Sequence, residues 1–206
     1  HAEEFLDGFS GWLHADGYQG YHKLPERIRV VGCAAHARRK FDEALTALPK
    51  EQQQTSKAAE ALCYFATLFQ LEQSFAELKP EERYTKRLEQ AKPVLDALLA
   101  WANDLIPRTA PKSALGKALH YLKEQWPYLV RYLEDGRLEL SNNRAERSIK
   151  PFVMGRKGWL FSNTPAGAVI YSLIETAKEN APDPYRYLLW VLESAPAMAL
   201  EGDAWA

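Results

Sequence analysis

Apolar positions along the chain recur at two periods. Residues 11–16 (GWLHAD) and 29–33 (RVVGC) are short apolar runs next to glycine, and each reads as a strand, with β-branched Val30 and Val31 favouring the second. From residue 34 the period becomes that of a helix: AAHARRKFDEALTAL sets Ala37, Phe41, Ala44 and Leu45 on one face. Residues 54–135 read as helical throughout. A first stripe runs through Ala58, Ala61, Leu62, Phe65, Leu68, Phe69 and Leu71 to Phe75 and Leu78, and breaks at Lys79-Pro80. A second helix spans 80–106, with Leu88, Leu95, Leu98, Leu99, Trp101 and Leu105 on its apolar side and a kink expected at Pro93. After a loop at 107–111, a third helix spans 113–133, with Leu115, Leu119, Leu122, Trp126, Leu129 and Tyr132 inward and a kink expected at Pro127. The aromatics on these stripes keep the spacing of a buried face, which favours core residues over a platform for stacked bases.

The remaining pattern is more broken. Asp135-Gly136 marks a turn, and Leu138 and Leu140 alternate with Glu139 as a short extended segment. A helix follows from a cap at Asn143, with Pro151 expected to end or kink it near Gly155. Trp159-Leu160-Phe161 is a compact apolar run, 162–167 a loop, and 168–180 a helix with Val169, Leu173, Ile174 and Ala177 inward. Asp183-Pro184 is a cap followed by proline, opening a last helix to about Glu193. Residues 194–206 are expected to form a loose tail.

Composition narrows the class. The 206 residues are 47% hydrophobic and carry a net charge of −1, which fits a globular chain with one good core or two small ones. No apolar run is long enough for a membrane span, and the acidic start (Glu3, Glu4, Asp7) is unlike a secretory signal. The chain opens at His1, so a longer or processed parent is expected. Cys33 and Cys63 make no disulfide framework, which suits a reducing cytoplasm. Charge is unevenly spread: residues 111–158 hold ten cations and five acids, and residues 159–206 two and six. The basic part surrounds one motif, as a local phosphate site requires; a solvated face has the same composition.

That motif is residues 141–158, SNNRAERSIKPFVMGRKG, with one carboxylate, Glu146, among Arg144, Arg147, Lys150, Arg156 and Lys157. With Asn143 as cap, Glu146 falls at the third helical position, the spacing of a capping box. Two readings stand: a capping glutamate beside solvated cations, or a metal-binding carboxylate among cations that hold phosphates. Asp16, before Gly17 at a strand end, is either a turn aspartate or a carboxylate placed to reach a metal. His36, Arg38, Arg39 and Lys40 gather on the first turns of a helix, either to touch phosphates or as a basic face opposed by Asp42 and Glu43. Cys33 and His36 have a C-x2-H spacing but no second pair nearby to complete a zinc site.

NNRAERSIKPFVMGRKGWLFSNTPAGAVIYSLIETAKEN resembles the C-terminal part of the transposases of the insertion sequence 66 family, and GWLHADGYQGYHKL and VGCAAHARRKF agree with it in the family's order. The resemblance implies a DDE transposase with an RNase H-like catalytic fold, in which three carboxylates bind two divalent ions (Mg2+ or Mn2+) that drive DNA strand cleavage and transfer. It places the second catalytic aspartate at Asp16 and the catalytic glutamate at Glu146, with Glu175 as the alternative. Nothing in the chain matches the first aspartate, since Asp7 is too close to Asp16 to leave room for the intervening elements. The fold expected is therefore α+β and predominantly helical: residues 1–50 as a partial RNase H-like core, 51–137 as an all-helical insertion, 138–193 as the catalytic-glutamate helix and C-terminal helices, and 194–206 as the tail. Weak metal binding and no useful turnover are expected of this piece alone. The partners implied are the terminal inverted repeats of the transposon, target DNA, a homo-oligomer and the small accessory proteins encoded beside such transposases. A helical DNA-binding or dimerisation module without chemistry is the alternative.

Overall fold

The computed structural model describes residues 6–158 and 164–200, with the side chains of residues 19, 22, 156–158, 165 and 196–200 outside the description. Both expected strands form. β1 (Gly11–Ala15) and β2 (Ile28–Gly32) make a two-stranded parallel sheet, in register from Gly11 with Ile28 to Ala15 with Gly32. β2 sits one residue earlier than its apolar run suggests and is the better buried of the two. Helices α1 (Ala34–Thr46), α2 (Lys50–Gln53), α3 (Lys57–Ser74), α4 (Pro80–Lys86), α5 (Lys92–Leu105) and α6 (Ala114–Leu129) follow. After them come α7 (Asn143–Gly158), α8 (Pro165–Glu179) and α9 (Pro184–Leu200). The protein is thus predominantly helical with two short parallel strands. Among the described residues no helix is long and apolar enough to cross a membrane.

The chain divides into two compact units, His1–Asn142 and Asn143–Ala206. In the first, Val31 of β2, Phe41 of α1, Phe65 and Leu68 of α3, Leu98 of α5 and Leu119 and Leu122 of α6 are fully buried in one cluster. The strands and the helices of 51–137 therefore share a core. Phe41 packs 5.9 Å from Phe65 and 6.1 Å from Trp101, ring to ring, so these aromatics serve the core. Serine caps start two of the helices: Ser56 accepts from the Ala59 N–H at 3.1 Å, and Ser113 from the Gly116 N–H at 3.0 Å.

The stretch 80–106 is not one kinked helix. α4 and α5 are joined by a π turn, Arg87–Ala91, directly ahead of Pro93. Pro93 has no N–H for the carbonyl four residues back, and the π turn upstream accommodates that mismatch. The extra residue rotates the helix phase, so Leu88, expected inward, is 39% exposed, and Arg87 takes the buried position.

In the second unit α7 starts at Asn143 itself, so Asn142 occupies the cap position and Glu146 lies one place further in than a capping box needs. The helix passes through Pro151 to Gly158 instead of ending there. Phe152 of α7 lies 5.6 Å from the Tyr171 ring of α8, a contact that holds the helix beyond the proline. α8 begins at Pro165, where Thr164 caps it by accepting the Gly167 N–H at 3.2 Å. α9 opens as expected, with Asp183 accepting the Arg186 N–H at 2.9 Å, but it does not stop at Glu193. Residues 194–200 are helical rather than a loose tail: Ala197, Met198, Ala199 and Leu200 are good helix formers, and the helix continues through Pro196. Residues 201–206 of the expected tail and the Trp159-Leu160-Phe161 run lie outside the described residues.

Candidate functional site

Asp16 follows directly on β1, and continuing the strand register by one residue sets it level with Cys33, where β2 passes into α1. Its side chain is exposed, with one carboxylate oxygen accepting the Tyr18 N–H at 3.2 Å. Its backbone is fixed more firmly. The Tyr121 hydroxyl of α6 donates to the Asp16 carbonyl at 3.0 Å. Burial first, with Cys33 and the Asp16 carboxylate adding to it and Arg39 opposing, pushes the Tyr121 phenol up to about 12, so it stays a donor. Gly17 completes the support: its φ is +86°, and a Cβ there would lie 2.7 Å from Gln125 Oε1 and 2.9 Å from the Tyr121 hydroxyl. Only glycine lets the chain leave the strand so close to α6.

His14, two residues before Asp16 on the same strand, has Nε2 3.0 Å from the Gly32 carbonyl oxygen. A carbonyl only accepts, so the ring donates from Nε2. Burial holds the His14 pKa below its ordinary value, against the opposing pull of that bond and of the Glu139 carboxylate. His14 is therefore a neutral brace between the strand ends.

The backbone leading to the motif is fastened at the same strand end. Ala34 N–H donates to the Leu140 carbonyl at 3.0 Å, and Asn142 N–H to the Cys33 sulfur at 3.4 Å. The turn before that segment is held by Arg87. All five of its guanidinium N–H donors are used: two go to the Glu72 carboxylate at 2.9 and 2.6 Å, and three to the carbonyls of Tyr132, Asp135 and Leu138 at 3.1, 3.0 and 2.7 Å. Arg87 also lies 5.0 Å over the Tyr132 ring. Gly136 allows the closest approach there, since a Cβ would stand 1.8 Å from the Pro80 carbonyl oxygen.

In the second unit Glu146 is half-buried on the first turn of α7, while Arg147 and Lys150 are exposed. Together with Asn143 these three line a groove of about 560 Å³. Helical spacing of three and four residues sets them on one face. Arg144 is ion-paired with Glu179 of α8 and so points to that neighbour. Glu175 accepts from Lys178 at 2.7 Å and lines a second groove, between α7 and α8, with Ser148, Phe152 and Tyr171. Glu146 and Glu175 therefore serve different grooves of their unit. The side chains of Arg156 and Lys157 lie outside the description.

Arg38 and Arg39 are exposed on α1, and among the described residues neither makes an ion pair. A cleft of about 910 Å³ opens beside α1 and α6, with Lys40, Lys117 and Lys123 in its lining together with Tyr121; Asp16 does not line it. Among the described residues no three His, Cys, Asp or Glu side chains gather to hold a metal ion. The Cys33 sulfur is buried and engaged by Asn142. Asp16 is an exposed carboxylate in the first unit and Glu146 a half-buried one in the second.

Sequence reasoning missed Tyr121 and Arg87. Tyr121 stands off the apolar stripe of its helix, and its i, i+4 pairing with Gln125 was the available signal. Arg87 had none, because a π turn leaves no mark in the periodicity.

Comparison with known proteins adds the family. Residues 1–170 match the family model described as Transposase IS66 family, and residues 172–202 match the IS66 C-terminal element. The chain is 35% identical over 206 residues to the uncharacterized protein y4jD of Sinorhizobium fredii (strain NBRC 101917 / NGR234), covering 93% of this chain and 39% of that protein. It is 30% identical over 210 residues to y4hP of the same organism, covering 93% and 38%. The chain thus spans under two-fifths of the length of these relatives. No solved structure matches it.

Proposed function

This chain belongs to the IS66 family of transposases, and on that premise we propose that it supplies two carboxylates, Asp16 and Glu146, and a set of phosphate-binding cations to the DNA cutting and joining centre of a longer enzyme. One observation carries the reading. The backbone of Asn142, four residues before Glu146, is tied to Cys33, the position level with Asp16 in the strand register. The segment that leads into the motif helix is therefore tied, within the first unit, at the strand end that bears the aspartate. A parallel strand pair with an exposed carboxylate just past its first strand also suits the RNase H-like core expected of a DDE enzyme.

Within this reading, Mg2+ or Mn2+ would supply Lewis-acid activation of the phosphodiester and its attacking oxygen when bound. Asp16 and Glu146 would be its ligands from this chain. Tyr121 and Gly17 keep the Asp16 backbone in place, so the carboxylate starts from a fixed position. Arg147 and Lys150, beside Glu146, would hold phosphates of the transposon end, as would Arg156 and Lys157 further along α7; Arg38 and Arg39 would do so from α1. Arg144, committed to Glu179, would contribute least. A further carboxylate has to come from outside these 206 residues, so the piece alone would bind metal weakly and turn over no DNA.

The test is cleavage of transposon-end DNA by the full-length protein. Glu146→Gln and Asp16→Asn should abolish cleavage and leave DNA binding intact. Arg147→Ala and Lys150→Ala should each weaken binding and lower the salt slope by about one. Full cleavage by Glu146→Gln sinks the catalytic assignment. Loss of transposition only in the Arg147 and Lys150 variants would favour a module that holds DNA without chemistry.

A further inference from the structure

Helix α9 is apolar on both sides over residues 185–193, and among the described residues nothing covers its outer side. Tyr185, Leu189, Trp190 and Leu192 are 75%, 44%, 58% and 71% exposed. A helix apolar all round belongs inside something. The outer side has an order to it. Residues 185, 189 and 192 form one line at spacings of four and three, and 186, 190 and 193 form the line beside it, so both rise along one face. Arg186 stands at the start of the second line and Glu193 at its end. Both are exposed, and among the described residues neither makes an ion pair.

We infer that this face pairs with the same face of a second copy of the chain, the two α9 helices running antiparallel about a two-fold axis between Leu189 and Trp190. Such an axis brings residue 186 of one copy opposite 193 of the other, twice over, because the two are equally far from the centre. Each Arg186 then meets a Glu193, and Leu189 of each copy meets Trp190 of the other. The stacking of Tyr187 on Trp190, with centroids 6.3 Å apart and planes at 27°, fixes the indole for that contact. The charge pattern chooses this occupant. Nucleic acid needs a face of cations. Here one cation and one acid flank an apolar middle at opposite ends, which is self-complementary under a two-fold and under no other simple operation. The inference does not depend on the catalytic reading.

Sedimentation of the 206-residue chain over a range of concentrations tests it. A monomer–dimer equilibrium is expected. Arg186→Glu and Glu193→Arg should each weaken the dimer at least tenfold by setting like charges opposite one another, and the double variant should regain it. Leu189→Gln, at the centre, should abolish it. Far-UV circular dichroism identifies a variant that has lost its fold; all three positions are exposed, so none should. The inference is overturned by a chain that stays monomeric throughout, which leaves the face to DNA or to another part of the parent protein. It is equally overturned by a dimer indifferent to Arg186→Glu, or by a double variant no tighter than the singles.

Discussion

Residues up to Asn142 share one core built from both strands and the long helices around them, whereas in the three helices from Asn143 onward Ala177 alone, among the described residues, is buried. The two units carry the two candidate carboxylates, and they hold them by different means. Asp16 is pinned through its backbone by a protonated phenol, a glycine with φ of +86° and a strand register. Glu146 sits on a helix steadied by an exposed ion pair and one aromatic contact. Among the described residues the second unit has little interior, so burial contributes less to its stability than to that of the first. The first unit is thus a fixed mount, and the described part of the second is mostly surface.

The sharpest way to break this comparison is to remove the same kind of ion pair from each side. Arg87 and Glu72 are 1% and 15% exposed; Arg144 and Glu179 are 57% and 41% exposed. Arg87→Met strips a buried carboxylate and three carbonyls of their donors and should cost about 3–5 kcal/mol, read as a lower urea midpoint. Arg144→Met, in water and screened, should cost under about 1 kcal/mol. Equal losses would mean that the second unit is as tightly built as the first.

Backbone conformation gives a smaller contrast of opposite sign. Gly17→Ala adds a Cβ at a left-handed position already crowded by Gln125 and Tyr121, and should destabilise by about 1–3 kcal/mol. In the second unit the left-handed residue after α8 is Ala181, with φ of 69°, exposed and followed by Pro182. Glycine is the usual residue at such a helix end. Ala181→Gly relieves about 1–2 kcal/mol of strain against about 0.5–1 kcal/mol of added unfolded-chain entropy, so a gain between zero and about 1.5 kcal/mol is expected in thermal melts.

How much of this was legible follows the same division. The strands and the core stripes of the first unit follow from periodicity, because a well-buried face writes itself into the sequence at fixed spacing. The exception is Arg87: the π turn shifts the phase, so counting along the stripe put Leu88 inside in its place. In the second unit, with little interior, spacing had less to report, and boundaries rested on local punctuation. Asp183-Pro184 was read correctly as a cap and first turn. The same pairing at Thr164-Pro165 went unused, and α8 was started at residue 168, three residues late. Proline is over-weighted at Pro151, where the helix continues, and the expected tail from residue 194 is helical as far as residue 200. The candidate carboxylates come from family resemblance; spacing alone favours a turn residue at Asp16 and a cap partner at Glu146.

The smallest effect separates the units by pH. All five histidines of the chain precede residue 143, so the second unit has none. Burial holds the pKa of His14 below its ordinary 6.5 in the folded protein. Between that lowered value and 6.5 the unfolded chain carries a proton on His14 that the folded chain does not. Unfolding takes up that proton and is favoured as pH falls. Stability of the first unit should therefore be level above pH 6.5, decline below it, and level off again once the folded state also binds the proton. The slope cannot exceed about 1.4 kcal/mol per pH unit for one group. His14→Gln, which can still donate to the Gly32 carbonyl, should flatten the decline. Hydrogen exchange, which follows each unit separately, should show the decline in amides of β1, β2 and α6 and not in those of α8 and α9. A decline of equal size in both units would mean that they unfold together, and the contrast between a fixed mount and a unit that is mostly surface would then fail.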